Sequence, residues 1–246
     1  MNKIIRRILL FICICVFLFS AFQLGKIFYN YYTIEKESAE LVTQYVEEPE
    51  EEPEEEKEDP LKRVVNFEEL QNINSDVIGW LYIPDTKIDE PILKGENNDT
   101  YLYTDLYMKS NTAGNVFIDE INSRDFSDDN TIIYGHNMKN GSRFHDLRYF
   151  VEKDYFNEHQ DIYIYLPDGS VYVYQAVAST VIAATSDLYQ KGIDYDSYMN
   201  QVKSEASVYQ NVSDEQVNMI MLSTCYSGTE NRYVVYGQLR EKVKSE

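Results

Sequence analysis

Three residues of this 246-residue chain have the types and settings that acyl transfer requires. They are Cys225, at the end of Met219-Ile-Met-Leu-Ser-Thr-Cys225; His136, at the end of Thr131-Ile-Ile-Tyr-Gly-His136; and Arg232, seven positions after the cysteine. A thiol that attacks a carbonyl carbon needs a partner to take its proton and later return one to the leaving amine, and imidazole suits both steps. A guanidinium can offset the charge that builds on the carbonyl oxygen, or hold that carbonyl in place. A core cysteine would sit inside an apolar strand, whereas Cys225 follows one and precedes the loop signals Ser227, Gly228 and Asn231. His145 lies beside charged residues and His159 in a polar stretch, so both are read as surface histidines. A single arginine is ordinarily a solvated charge, but three such residues at strand boundaries form a more specific set than any one of them. With ordinary pKa values near 8.5 and 6.5, only about 1% of molecules at pH 7.5 would hold thiolate and imidazolium together, so slow turnover is expected.

Strands must carry these residues. Runs rich in β-branched and tyrosine residues predict strands at 77–83, 88–93, 115–118, 131–134, 161–166, 170–184, 218–224 and 233–239, with a hairpin turn at Pro167-Asp168-Gly169. Asn66, with Glu69 three residues on, predicts an N-capped helix before the first strand. Further helical patches are expected at 99–106, 142–150 and 195–206. The 185 or so residues after 62 are enough for one core, and eight strands with few helices point to a small β-barrel or sandwich with helical insertions.

The remaining cysteines, Cys13 and Cys15, fall in the uncharged run 8–24, which is flanked by Lys3, Arg6, Arg7 and Lys26. That run covers about 26 Å and is extended by Ile27 to Tyr29, which predicts a transmembrane anchor over 8–29 with residues 1–7 cytoplasmic. It exceeds a signal-peptide core, and Ser20-Ala21-Phe22 is a poor cleavage site. The exported part then holds a single thiol, either free and reactive or paired between molecules.

Residues 47–60 carry ten acidic side chains against Lys57, which is −9 of the formal −20. Self-repulsion and Pro49, Pro53 and Pro60 predict an extended spacer over 47–60, and 27–46 is read as a continuation of the helix from the membrane; 30–62 is assigned to an extracellular acidic stalk and 63–246 to the catalytic domain. Asp119, Glu120, Asp125, Asp128 and Asp129 lack the spacing of a calcium loop, so no metal and no cofactor are expected. The negative charge argues against nucleic acid, and no glycine-rich phosphate loop is present.

Across 66–240 the chain resembles the sortases, and class B among them. Met221-Leu-Ser-Thr-Cys225 is similar to the family's Thr-Leu-x-Thr-Cys signature, with Met221 in place of threonine. Arg232-Tyr-Val-Val-Tyr-Gly237 matches its arginine strand and Tyr134-Gly-His-Asn-Met138 its histidine motif. Asn74 to Trp80, Leu81 to Pro91 and Gly114 to Asp119 also resemble the family. Asp59-Pro60-Leu61 lacks the aromatic residue of a class C lid.

The resemblance implies an eight-stranded β-barrel with an N-terminal helix. It also implies a cell-wall transpeptidase that cleaves a sorting motif after threonine and passes the acyl group to a peptidoglycan amine, at the outer face of a Gram-positive type membrane. Carried over residue by residue, Cys225 is the nucleophile, His136 the acid and base, and Arg232 the oxyanion or substrate clamp. Ser223, Thr224 and Asn137 become candidate substrate contacts. Because strand side chains alternate, Met221 shares a face with Ser223 and Cys225 and is expected to shape the groove floor. A cysteine endopeptidase using water, or an inactive wall-binding barrel, are the alternative functions.

Overall fold

The computed structural model describes residues 3–47, 59–190, 192, 194–210, 215–226 and 228–244. Eight strands close into a barrel: β1 (Val77–Tyr82), β2 (Asp89–Leu93), β3 (Val116–Ile118), β4 (Asn130–Tyr134), β5 (Asp161–Tyr165), β6 (Ser170–Ala183), β7 (Met219–Cys225) and β8 (Asn231–Lys244). Around the barrel the order is β8-β7-β4-β3-β2-β1-β5-β6, and β6 pairs back onto β8 to close it. The β2/β3 and β4/β7 pairs are parallel and the rest antiparallel. The two-residue strand Val208–Tyr209 adds to the edge of β6.

The strands are apolar on both faces because helices cover the outside. Ile220 and Leu222 of β7 join Leu81, Ile92, Ile133, Ile164 and Val235 in one cluster, while Met219 and Met221 belong to a second with Leu188, Tyr198 and Val202. That second cluster lies beneath α4 (Tyr195–Glu205). A third gathers Trp80, Leu93, Phe117 and Tyr165 under α2 (Phe67–Ile73) and the distal end of α1 (Lys3–Tyr45). Asn66 caps α2 as expected, its side chain accepting from the Glu69 N–H at 3.2 Å. Gly169 takes the left-handed conformation, φ +80°, that the β5–β6 hairpin turn needs.

The structure departs from the sequence reading in four places. Residues 99–106 are turns, not helix, because the Asn97 side chain accepts from the Asp99 and Thr100 N–H groups and the Asp105 side chain from those of Tyr107 and Lys109, which competes with a helical ladder. The patch at 142–150 narrows to a 3-10 turn, His145–Tyr149. A short helix, α3 (Lys153–Glu158), was not expected. Residues 30–45, assigned to the stalk, continue α1 in line with the helical reading, but they pack on the barrel through Ile34, Leu41 and Tyr45. The acidic block at 48–58 lies outside the described residues.

α1 is docked by polar contacts as well as apolar ones. Ser38 donates to Glu90 at 3.1 Å and accepts from Arg143 at 3.1 Å, and Glu90 and Arg143 are themselves ion-paired in the interior. Arg143 has a positive φ of +56°, so its side chain and its strained backbone both depend on that pairing.

Candidate active site

Strand register brings the three candidate residues to one rim. β4 and β7 run parallel with Ser223 opposite Tyr134, so each strand's C-terminal end emerges at the same level. β7 and β8 are antiparallel with Cys225 opposite Arg232. His136 follows β4, Cys225 ends β7 and Arg232 lies near the start of β8, so adjacent strands deliver all three. They line one groove of about 250 Å³ with Ser223, Thr224, Tyr134, Tyr189, Leu102 and Phe117.

Side-chain bonds lock the β4–β7 junction beyond the sheet ladder. Thr224 Oγ1 donates to the Gly135 carbonyl at 2.7 Å, the Gly135 N–H donates to the Ser223 carbonyl at 3.3 Å, and Asn137 Nδ2 donates to the Cys225 carbonyl at 3.0 Å. Gly135 is required here, because a Cβ would lie 2.7 Å from the Phe144 ring. Asn137, read from sequence as a substrate contact, is outside the groove lining and holds the cysteine's backbone instead. Thr224 lines the groove but spends its hydroxyl proton on Gly135. A Thr224→Val variant keeps the shape and strands the Gly135 carbonyl, so its unfolding free energy should fall by about 1–3 kcal/mol, measured by urea denaturation.

His136 is half-buried, and its Nε2 lies 2.7 Å from the Leu102 carbonyl oxygen. That oxygen can only accept, so Nε2 carries the proton and Nδ1 is the basic nitrogen of the neutral ring. The Tyr103 ring packs on the imidazole with centroids 5.4 Å apart. Burial pushes the imidazole below its ordinary pKa and the nearby Arg143 charge pushes the same way, against the Leu102 carbonyl. The imidazolium is therefore scarcer than the ordinary values give.

The same shift makes a stability prediction. The folded-state pKa lies below the unfolded one, so as pH falls the unfolded chain protonates this ring first. His136 has no linkage cost above about pH 6.5, and stability is lost as pH falls below that value. Comparing the parent with His136→Gln at pH 7.5 and 5.5, the parent should lose more stability on acidification. Equal losses would contradict the shift.

Cys225 is exposed at the groove. Arg232 is half-buried, and its Nη1 donates to the carbonyls of Asn231 at 2.9 Å and Glu230 at 3.3 Å, which anchors the guanidinium at the start of β8. Opposite lies an aromatic wall that sequence reasoning missed. The Tyr134 and Tyr189 rings stack with 14° between planes, Tyr134 donates to Asp119 at 2.7 Å, and Tyr189 and Ser223 share a hydroxyl contact of 2.8 Å. Burial pushes the Tyr189 phenol up to about 12, so it stays neutral. Tyr134 could have been found, since it opens the histidine motif. Tyr189 sits in a segment without periodicity and Leu102 in one read as helix, and only the closed barrel brings them to the rim. Met221 does share the outward face with Ser223 and Cys225, but it is buried beneath α4 and lines no part of the groove. His145 is in the 3-10 turn and His159 stacks on Tyr155 at 4.0 Å, both away from the groove lining.

A model of the sortase domain matches residues 81–240. The chain belongs to the sortase family. It is 36% identical over 184 residues to sortase B of Listeria monocytogenes, covering 71% of this chain and 74% of that protein. It is 30% identical over 183 residues to sortase B of Staphylococcus aureus, covering 70% and 74%. The solved structure of sortase B from B. anthracis superposes with a TM-score of 0.70 at 25% identity, covering 87% of this chain and 99% of that one. These likenesses are to class B sortases, so the chain is a cysteine transpeptidase of cell-wall sorting. Hydrolysis to water and an inert wall-binding barrel are not favoured.

Proposed function

We propose that Cys225, His136 and Arg232 carry this sortase's chemistry on a sorting motif laid along the groove. The observation that supports the assignment is their convergence, from adjacent strands, on one groove with an aromatic wall. The Cys225 sulfur attacks the threonine carbonyl carbon and its proton passes to the His136 ring. The charge that develops on the carbonyl oxygen is met by Arg232, already anchored at its strand end. His136 returns the proton to the leaving amine as the peptide bond breaks, which leaves a thioester on Cys225. A peptidoglycan amine then attacks the thioester, yields its proton to His136, and departs amide-linked to the protein while the thiol is restored. Tyr134, Tyr189 and Ser223 hold the substrate against the groove wall, and Thr224 and Asn137 keep the strand ends in register.

The helix α1 is long and apolar enough over its first part to cross a membrane. We read residues 8–29 as the anchor, with 1–7 cytoplasmic and the barrel outside the cell on a Gram-positive type membrane.

The test is incubation of the full chain with sorting-motif peptides, with and without an amine acceptor. Amine-dependent product from the parent and none from Cys225→Ala is the expected result. Cleavage that ignores the amine would overturn transpeptidation. Tyr189→Phe, which removes the hydroxyl contact to Ser223 and keeps the ring, should raise KM several-fold with kcat nearly unchanged, because it touches binding and not the reacting atoms.

A further inference from the structure

α1 passes from full exposure to burial at one residue. Residues 3–29 are exposed along the whole helix, and from Asn30 onward it meets the barrel. Asn30 Nδ2 donates to Thr112 Oγ1 at 2.9 Å, and Asn140 Nδ2 donates to the Tyr31 carbonyl at 3.2 Å. Further along, Asn111 reaches Glu37 at 3.0 Å, and Ser38 joins Glu90 and Arg143. The helix ends at Tyr45, whose carbonyl accepts from the Asn66 N–H at 2.8 Å.

Helix rise converts this order into heights. Residues 8–29 span roughly 33 Å, enough to cross the hydrocarbon core, and Tyr45 lies about 23 Å beyond Asn30. The barrel is thus strapped to α1 from its first residue outside the apolar run. Val46 and Glu47 pair antiparallel with Val65 and Val64. The acidic segment therefore leaves and rejoins the barrel at one place, at the far end of α1, and cannot separate barrel from membrane.

We infer that the barrel rests directly on the lipid headgroup layer, with Thr112 and the segment 137–142 as the contacting surface. This rests on the reading of residues 8–29 as a membrane anchor. The charge of that surface fits a bilayer with anionic lipid. It contains the exposed Lys139 and no carboxylate, in a chain with 42 acidic residues. His136 is four residues from Asn140, so at most about 14 Å of chain separates it from the headgroup level. The histidine rim of the groove consequently opens close to the membrane surface, where a lipid-borne amine acceptor would be within reach.

The experiment uses the full chain in vesicles of phosphatidylcholine and phosphatidylglycerol. Thr112→Cys, Lys139→Cys and Asp168→Cys are made separately on a background of Cys13→Ser, Cys15→Ser and Cys225→Ala, and each carries a fluorophore. Asp168 is the distal marker, because its hairpin borders the same cleft as Glu47. Quenching by a headgroup spin-labelled lipid should be several-fold stronger at 112 and 139 than at 168. Seven helical residues inserted between Tyr29 and Asn30 lift the barrel roughly 10 Å and should reduce that quenching. Removing residues 51–56 should leave it unchanged. Equal quenching at all three sites in protein that floats with the vesicles would overturn the seating alone, and so would a change on removing 51–56. Protein that fails to float would overturn the anchor and the seating together.

Discussion

Cys225→Ala will reduce amine-dependent product from a sorting-motif peptide by a factor on the order of 10⁴ or more, to the level of the uncatalysed reaction. No other thiol among the groove residues can form the acyl-enzyme, and loss of a covalent nucleophile removes the route itself. His136→Ala should cost about 10²–10⁴, the usual worth of a positioned acid and base. Arg232→Ala should cost roughly 10²–10³, mainly in kcat if the guanidinium meets the developing oxyanion. Arg232→Lys restores the charge but not the planar guanidinium whose Nη1 is anchored to Asn231 and Glu230, so it should recover only part of the loss. Single-turnover release of the leaving peptide, followed by quench and mass analysis for the thioester, distinguishes these effects. Acyl-enzyme formation by Cys225→Ala at the parent rate would remove the thiol from the mechanism.

Glu90→Leu will be the most destabilising of these substitutions, at about 3–5 kcal/mol. Glu90 and Arg143 are both buried, and deleting one partner leaves the other as an uncompensated interior charge. Burial pushes the Glu90 carboxyl up, and the Arg143 charge and the Ser38 hydroxyl oppose that push. The double variant Glu90→Leu/Arg143→Met should recover most of the loss, because an apolar pair of similar volume avoids the desolvation cost. Urea denaturation of the three proteins measures both statements. The damage should reach the active site as well. Arg143 pairs with Asn137 across the turn after His136, and the Phe144 N–H donates to the His136 carbonyl at 2.9 Å. Glu90→Leu should therefore lower kcat in addition to stability. Unaltered stability would mean that Arg143 finds another partner.

Much of this protein is written locally. Each barrel strand announces itself by β-branched and aromatic runs, Asn66 by its cap, and the β5–β6 turn by Pro167-Asp168-Gly169, because these preferences act over a few residues. The positions of Cys225, His136 and Arg232 at strand ends were legible for the same reason. The reading of residues 99–106 as helix failed because Asn and Asp side chains captured the backbone, and apolar spacing alone does not reveal that competition.

Other features arise only when the barrel closes. Parallel pairing of β4 with β7 and antiparallel pairing of β7 with β8 set the row of candidate residues, and register is a property of partners far apart in the chain. The Leu102 carbonyl chooses the His136 tautomer from 34 positions away, and Tyr189 meets Ser223 across the same interval. The acidic block illustrates the division most clearly. Its charge and prolines determine that it has no core to form, but its role depends on where its two ends are held. That was decided by Val46 and Glu47 pairing with Val65 and Val64, a contact that local composition does not encode.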